Sequence, residues 1–263
     1  MIKLENITFK YEKTILDSIN LTINKNKITC IIGVNGSGKT TLASIISGLL
    51  FSQSGHIFLD DIEINKKTDS KLIRKKIGMV FQNPNNQILF SRVSDYIKFT
   101  LENLKYPNNE IPTIIKKSLE KVNMLNFINS NPYKLSGGEK QRIAIASQLS
   151  YNPDYIIFDE ATSMLDINSK KDIYKLFKTL KKDIGVIYIT NDISEIIHAD
   201  DIIILDNTKA YKYTLSNIIK NNNILTKHKL NIPFVLKLLN KLNIKDIKNI
   251  NEEYILERIS KND

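Results

Sequence analysis

The chain has 263 residues, 42% hydrophobic and 25% charged, enough for one substantial core with a small appendage and too apolar for a disordered chain. Its net charge of +10 suits attraction to nucleic acid or an anionic membrane surface, or else a surplus of scattered, solvated lysines in a chain rich in Lys, Asn and Ile. The single cysteine, Cys30, excludes an internal disulfide and fits a reducing cytosol; no run approaches the ~18 apolar residues of a membrane span, and the N-terminus does not read as a signal peptide.

In chain order, residues 4–9 and 16–23 alternate apolar and polar side chains and predict two antiparallel strands. Residues 28–32 form a continuous apolar run ending at Gly33, the pattern of a central strand. A helix is expected over about 39–49, a strand pair over 55–64 and a further strand at 78–81. From about 91 to 151 the pattern is mostly helical, punctuated by Pro107, Pro112 and Pro132. Strands return at 155–158, 186–189 and 202–205 with helices between them, which makes an α/β core with a helical insertion. From about residue 215 the composition changes. Phe234, Val235, Leu238, Leu239 and Leu242 line one helical stripe opposite Lys237, Asn240 and Lys241, and a last short helix is expected near 252–259. The stripe suits a helix packed back on the core and a subunit-contact appendage equally.

Gly33-Val34-Asn35-Gly36-Ser37-Gly38-Lys39-Thr40 fits G-x-x-x-x-G-K-[ST] between a strand and a helix, the context that pattern requires. The glycines let backbone N–H groups curl around phosphate oxygens, and the following helix adds its positive end. Lys39 is placed to bridge the β- and γ-phosphates, the Thr40 hydroxyl to ligate Mg2+, and Thr41 to reach a phosphate oxygen. Tyr155-Ile156-Ile157-Phe158-Asp159-Glu160 is an apolar strand ending in two carboxylates, costly there unless paired or metal-bound. Asp159 suits Mg2+ held through water, and Glu160 suits a base that orients and deprotonates the attacking water. Capping of the next helix is an alternative for Glu160 alone.

Leu135-Ser136-Gly137-Gly138-Glu139-Lys140-Gln141-Arg142 opens a helix, with Ser136 as N-cap and Glu139 completing a capping box. Ser-Gly-Gly also leaves bare N–H groups at a helix start, a second anion site. One nucleotide has no use for two γ-phosphate cradles on one chain, whereas two chains facing head to tail do. Residues 185–195 read as a strand, a polar break at Thr190-Asn191-Asp192, and a helix start. Ligands bind beyond the carboxyl ends of strands in open α/β sheets, so a polar side chain at this break is a candidate ligand contact.

The P-loop, Gln82 after a strand, the Leu-Ser-Gly-Gly-Glu segment, the carboxylate strand and Ser163-Met164-Leu165-Asp166 together resemble the ATP-binding cassette (ABC) ATPases, over about residues 4–205. The Leu-Ser-Gly-Gly-Glu type of segment separates that family from other P-loop NTPases. The resemblance implies an α/β P-loop NTPase fold: a RecA-like core with an antiparallel β subdomain and an α-helical subdomain at about 85–152. Residues 1–214 would be the ABC ATPase domain and 215–263 a short C-terminal helical extension. Phe81-Gln82-Asn83-Pro84-Asn85-Asn86-Gln87, the segment from Asp159 through Asp166, and Ile232-Pro233-Phe234-Val235 are similar to the ATPases of energy-coupling-factor (ECF) transporters, the cobalt and vitamin importers. Ala161-Thr162-Ser163-Met164 resembles the first of their two related ATPase types.

The resemblance assigns catalytic roles to Glu160, Gln82 and Asn191, and metal contacts to Thr40, Gln82 and Asp159. Nucleotide contacts fall on Tyr11, Gly33, Asn35, Gly36, Ser37, Gly38, Lys39, Thr40 and Thr41. Tyr11 would stack on adenine; its plainer reading is a strand aromatic covering the core. Ser136, Gly137, Gly138 and Glu139 would complete the partner's site, and Asp166 would lie at the dimer seam. The implied ligands are ATP and Mg2+. The implied partners are a second related ATPase in a heterodimer, a transmembrane coupling protein and a membrane substrate-binding subunit. Nucleic acid is not expected, and the place is the cytoplasmic face of the cell membrane, as a peripheral protein.

Two residues depart from the family pattern. Asn85 stands where an acid is common, which unsettles one polar contact to the coupling protein, and Asn191 stands where the family places a histidine. The implied function is an ATP-hydrolysing subunit that energises uptake of vitamins or other micronutrients. The alternatives are an ATP-binding subunit with weak hydrolysis at its own site, favoured by Asn191, and a soluble ABC ATPase acting on nucleic acid, favoured by the charge.

Overall fold

The computed structural model describes residues 1–64 and 70–242, so the helix expected near 252–259 lies outside the described residues. The chain opens with the antiparallel pair β1 (Ile2–Lys10) and β2 (Thr14–Ile23), whose alternation buries Ile2, Leu4, Ile7 and Phe9 on one face of β1. β3 (Ile28–Gly33) leads into α1 (Lys39–Ile46). α1 stops earlier than the expected residue 49, because Gly48 turns into the left-handed region at φ 71° just past its C-cap. β4 (Ser54–Leu59) and β5 (Ile62–Ile64) come next, then α2 (Ser70–Lys76), which the sequence pattern did not announce, and β6 (Ile77–Val80). The helical insertion holds α3 (Val93–Asn103), α4 (Ile111–Glu120) and α5 (Gly137–Leu149). β7 (Tyr155–Asp159), α6 (Ile167–Leu180), β8 (Gly185–Ile189) and β9 (Asp201–Asp206) complete the α/β alternation.

An unexpected edge strand, β10 (Lys209–Thr214), folds back on β9. Its polar composition hides it, but Asn207 and Thr208 both take positive φ (47° and 65°), the geometry of a two-residue hairpin turn. The tail follows as α7 (Leu215–Lys220), α8 (Asn223–Lys227) and α9 (Phe234–Lys241).

Two sheets result. The smaller one is antiparallel, in the order β2-β1-β4-β5. The larger runs β10-β9-β3-β8-β7-β6 and is parallel apart from β10. Its period of two divides the interior. Cys30, Ile32, Phe158 and Tyr188 face the core shared with the helical insertion and α6, while Ile31, Ile157 and Ile187 face the core under the antiparallel sheet and α1. Cys30 is fully buried on the central strand, and burial pushes its thiol well above the ordinary range.

The tail packs back on the first of these cores through Ile218, Ile219, Leu225, Leu230, Leu236, Leu239 and Leu242. Its stripe is rotated from the expected one: Leu236 is buried and Phe234 is 79% exposed. Phe234 precedes the central Leu239 by five residues, roughly 140° around a helix of 3.6 residues per turn. Among the described residues no helix is long and apolar enough to cross a membrane.

Because β6, β7, β8 and β3 are parallel neighbours, the loops after them leave the same edge of the sheet. Gln82, Glu160, Asn191 and the P-loop stand in these four loops.

Candidate active site

The P-loop leaves β3 at Gly33, where a Cβ would lie 2.5 Å from the Leu205 carbonyl oxygen and 2.6 Å from Ser37 Oγ. Only glycine fits so close an approach. Gly38 caps α1 at φ 96° with no side-chain hydrogen bond, which leaves the first N–H groups of the helix aimed out of it. Ser37 Oγ is buried without a hydrogen-bond partner. Lys39 is buried, and its Nζ donates to the carbonyl oxygens of Gly33 (2.9 Å) and Val34 (3.2 Å). Burial draws its pKa down, against the charges of Glu160 and Asp159. An uncapped helix start, an orphaned hydroxyl and a desolvated ammonium form an anion cradle. Thr41 is half-buried at the start of α1, while Asn35 and Gly36 are exposed on the loop.

Thr40 Oγ1 donates to Asp159 Oδ1 at 3.2 Å. Asp159 is buried at the end of β7; burial raises its pKa, the Thr40 hydrogen bond opposes the rise, and Glu160 adds to it. This hydroxyl–carboxylate pair is a hard oxygen donor set. It fits Mg2+, which takes one or two protein oxygens and completes its shell with phosphate and water. Among the described residues no group of three or more His, Cys, Asp or Glu could hold a metal unaided.

Glu160 adopts φ 50°, unusual for a residue with a side chain, and its N–H donates to the Ile189 carbonyl at 3.1 Å. The bend holds the carboxylate between two amides. Asn191 Nδ2 donates to Oε1 at 2.6 Å, and Gln82 Nε2 donates to Oε2 at 3.2 Å. Gln82 Nε2 also reaches Ser163 Oγ at 3.2 Å, and that hydroxyl donates back to the Glu160 carbonyl at 2.8 Å. The capping alternative for Glu160 is overturned, since Asp166 caps α6 by accepting from the N–H groups of Asn168 (2.9 Å) and Ser169 (3.1 Å).

Tyr11 is 61% exposed and meets Phe9 edge-on with ring centroids 4.8 Å apart, so it does not cover the core. Ser136 caps α5 as expected: its hydroxyl accepts from the Glu139 N–H, while Glu139 Oε2 accepts from the Ser136 N–H and hydroxyl, both at 2.8 Å. The α5 start is therefore not wholly bare, because the Glu139 N–H is already engaged; Gly137 faces open space. Ser169 Oγ would lie 2.8 Å from a Cβ on Gly138 and donates to Asp166 Oδ2 at 2.6 Å, which joins the starts of α5 and α6. Asn85 Oδ1 accepts from Lys140 Nζ at 2.9 Å within the chain.

The sequence pattern named Thr162 only within the Ala161–Met164 segment and did not single out Lys170 or Glu195; the three meet beneath the site. The one available signal was an acid, Glu195, set beside the apolar Ile196 and Ile197.

Fold and site together define a P-loop ATPase cassette, and the chain belongs to the ABC transporter family, whose profile matches residues 16–163. Over 99% of its length it is 42% identical to the energy-coupling factor transporter ATP-binding protein EcfA1 of Ureaplasma parvum, covering 91% of that protein. The protein of the same name from Fusobacterium nucleatum is 41% identical, over 100% of this chain and 99% of that one. Among solved structures, cbiO1 of Clostridium perfringens, part of the ABC transporter complex cbiONQ, has a TM-score of 0.78 at 28% identity and covers 91% of this chain and 98% of its own. A dimeric ATP-binding cassette in a post-hydrolysis state, bound to ADP and Pi, has a TM-score of 0.73 at 31% identity, covering 82% of this chain and 99% of that chain.

Proposed function

We propose that this chain is the ATP-binding and ATP-hydrolysing subunit of an ECF-type importer, energising uptake of vitamins or other micronutrients. The observation that carries the hydrolytic part is the Glu160 carboxylate held between Gln82 and Asn191, beside Lys39 and the Thr40–Asp159 pair. ATP would seat its phosphates over the start of α1, with Tyr11 against the adenine. Lys39 would exchange the Gly33 and Val34 carbonyls for phosphate oxygens. Bound at Thr40, Asp159 and Gln82, Mg2+ would supply charge neutralisation at the phosphates. Glu160 would accept the proton of the attacking water, its two oxygens already oriented by amide donors. Ser136, Gly137, Gly138 and Glu139 would complete the site of a second, related ATPase across a seam at Asp166.

The chain would sit peripherally at the cytoplasmic face of the membrane, against a transmembrane coupling protein that carries the substrate-binding subunit. Residues 1–214 would carry the ATP chemistry, and the 215–263 extension would serve assembly. No nucleic-acid partner is expected, a reading supported by the engagement of Lys25, Lys27, Lys76, Lys181 and Lys212 with aspartates.

Glu160→Gln is expected to keep ATP binding and to lower turnover by about 10²-fold or more, since an amide cannot take the proton. A membrane protein should copurify with the chain. Native turnover in Glu160→Gln removes the base assignment, and copurifying nucleic acid without a membrane protein removes the transport assignment.

A second reading, weak hydrolysis at the chain's own site, draws on Asn191. Its amide orients Glu160 but cannot carry the positive charge available to a histidine. Asn191→His is expected to raise single-turnover hydrolysis at this site. Equal rates in a heterodimer whose partner site is disabled would remove the asymmetry.

A further inference from the structure

Four residues after Asn191 the chain buries a carboxylate with no assigned role. Glu195, 5% exposed, lies in the 3-10 turn Ile193–His198. Lys170 Nζ sits 3.0 Å from its Oε1, and Thr162 Oγ1 donates to its Oε2 at 3.3 Å. The Tyr188 hydroxyl donates to its main-chain carbonyl at 2.7 Å. The Tyr174 ring meets that of Tyr188 edge-on, with centroids 6.1 Å apart, and the pKa of its phenol is raised by burial first and then by the charge of Glu195.

Each partner of Glu195 comes from a different part of the hydrolytic site. Thr162 stands two residues after Glu160, and Tyr188 three before Asn191 on β8. Lys170 is in the first turn of α6, where its N–H donates to the Asp166 carbonyl at 2.9 Å. The loop that bears Glu160 and the loop that bears Asn191 thus share one buried carboxylate at their roots. At their tips they meet again, through the 2.6 Å hydrogen bond from Asn191 to Glu160. A contact between two loop tips keeps its geometry only while the roots keep their spacing. Glu195 is buried and Lys170 half-buried, and an ion pair taken partly out of water is a poor way to gain stability, because an apolar pair of similar size does as well. What charge and hydrogen bonds supply here is a fixed distance and direction between two loops.

We propose that Glu195 and Lys170 are a positioning pair for hydrolysis, setting the loop of Glu160 against the loop of Asn191 and tying both to the Asp166-capped start of α6. This rests on Glu160 being the base. Neither residue is part of the phosphate cradle, so the pair acts on the rate of the chemical step and leaves ATP affinity alone. Misplacement of a reacting group by about 1 Å can cost up to 10²-fold in rate.

The test uses the full chain with the subunits it carries, read by single-turnover hydrolysis, ATP titration and thermal melting. The double variant Glu195→Gln/Lys170→Met removes both charges and leaves neither one buried alone. It is expected to melt as the native chain does and to bind ATP within about twofold, while kcat falls by about tenfold. Lys170→Arg, which keeps the charge, is expected to retain about half of the native rate or more. A double variant that turns over at the native rate overturns the proposal, as does a kcat loss that only tracks lost affinity and a lower Tm. Glu160→Gln separates the two levels. If it is inactive beside a fully active double variant, the pair alone fails; if it turns over natively, the base assignment fails and the pair with it.

Discussion

The starts of α1 and α5 are the two glycine-rich helix N-termini among the described residues, and they are finished in opposite ways. α1 has a glycine cap at φ 96°, no side-chain hydrogen bond and an orphaned Ser37 hydroxyl beside it. α5 has a complete capping box between Ser136 and Glu139. The first is left unfinished, so on the proposed reading a phosphate would become its cap. The second is held rigid by its own side chains and presents only the N–H groups around Gly137. On the proposed reading, a site that binds its own nucleotide tolerates an open end, and a surface that would meet another chain's nucleotide would gain from being built in advance.

The largest way to break this contrast is at Lys39. Lys39→Ala removes the side-chain cation seen in the α1 cradle, and ATP affinity is expected to fall by about 10- to 100-fold, the worth of a charge-assisted hydrogen bond. Equal affinity in a nucleotide titration would contradict the cradle. Glycine substitutions sharpen the contrast at smaller cost. At Gly38 a Cβ would lie 2.7 Å from the Ile15 side chain at a left-handed φ, so Gly38→Ala is expected to lower stability by about 2 kcal/mol. Gly137→Ala meets nothing within 4 Å and is expected to leave thermal melting within about 1 kcal/mol of native, while slowing turnover at the partner's site.

The smallest effect is at the α5 cap. Ser136→Ala is expected to cost about 1 kcal/mol in denaturant unfolding with no change in the chain's own ATP affinity. The backbone N–H of Ser136, and then its hydroxyl, hold the Glu139 carboxyl below its ordinary value of 4.5. A depressed folded pKa gives stability that is complete above the unfolded value and is lost as pH falls through the folded one. The difference in Tm between the native chain and Glu139→Ala should therefore be constant near neutrality and shrink below about pH 4.5. A pH-independent difference would detach the carboxylate from the cap.

Whatever is contiguous was legible in the sequence. The P-loop, the Asp159–Glu160 strand end and the Ser136–Glu139 box each lie within eight residues, where spacing and backbone geometry determine one another. The clamp on Glu160 was legible only in part. Gln82 and Asn191 stood out as polar residues at strand ends, but their partner is 78 and 31 residues away and is met only because three strands lie side by side. Glu195 was illegible for a further reason. A lone acid in a polar–apolar stretch reads as solvated, and its burial depends on Lys170, which a different helix delivers. β10 was hidden by its lysines and tyrosines, since an edge strand covered on one side carries no continuous apolar run.

Cys30 has a practical consequence. The chain's only thiol sits inside the central strand with no exposure. It will stay unlabelled by thiol reagents until that strand opens, so the rate of its modification is a direct clock for global unfolding. A cysteine introduced at an exposed position such as Met164 would be the one reactive thiol of the folded chain, ready to carry a fluorophore or spin label without removal of the native residue.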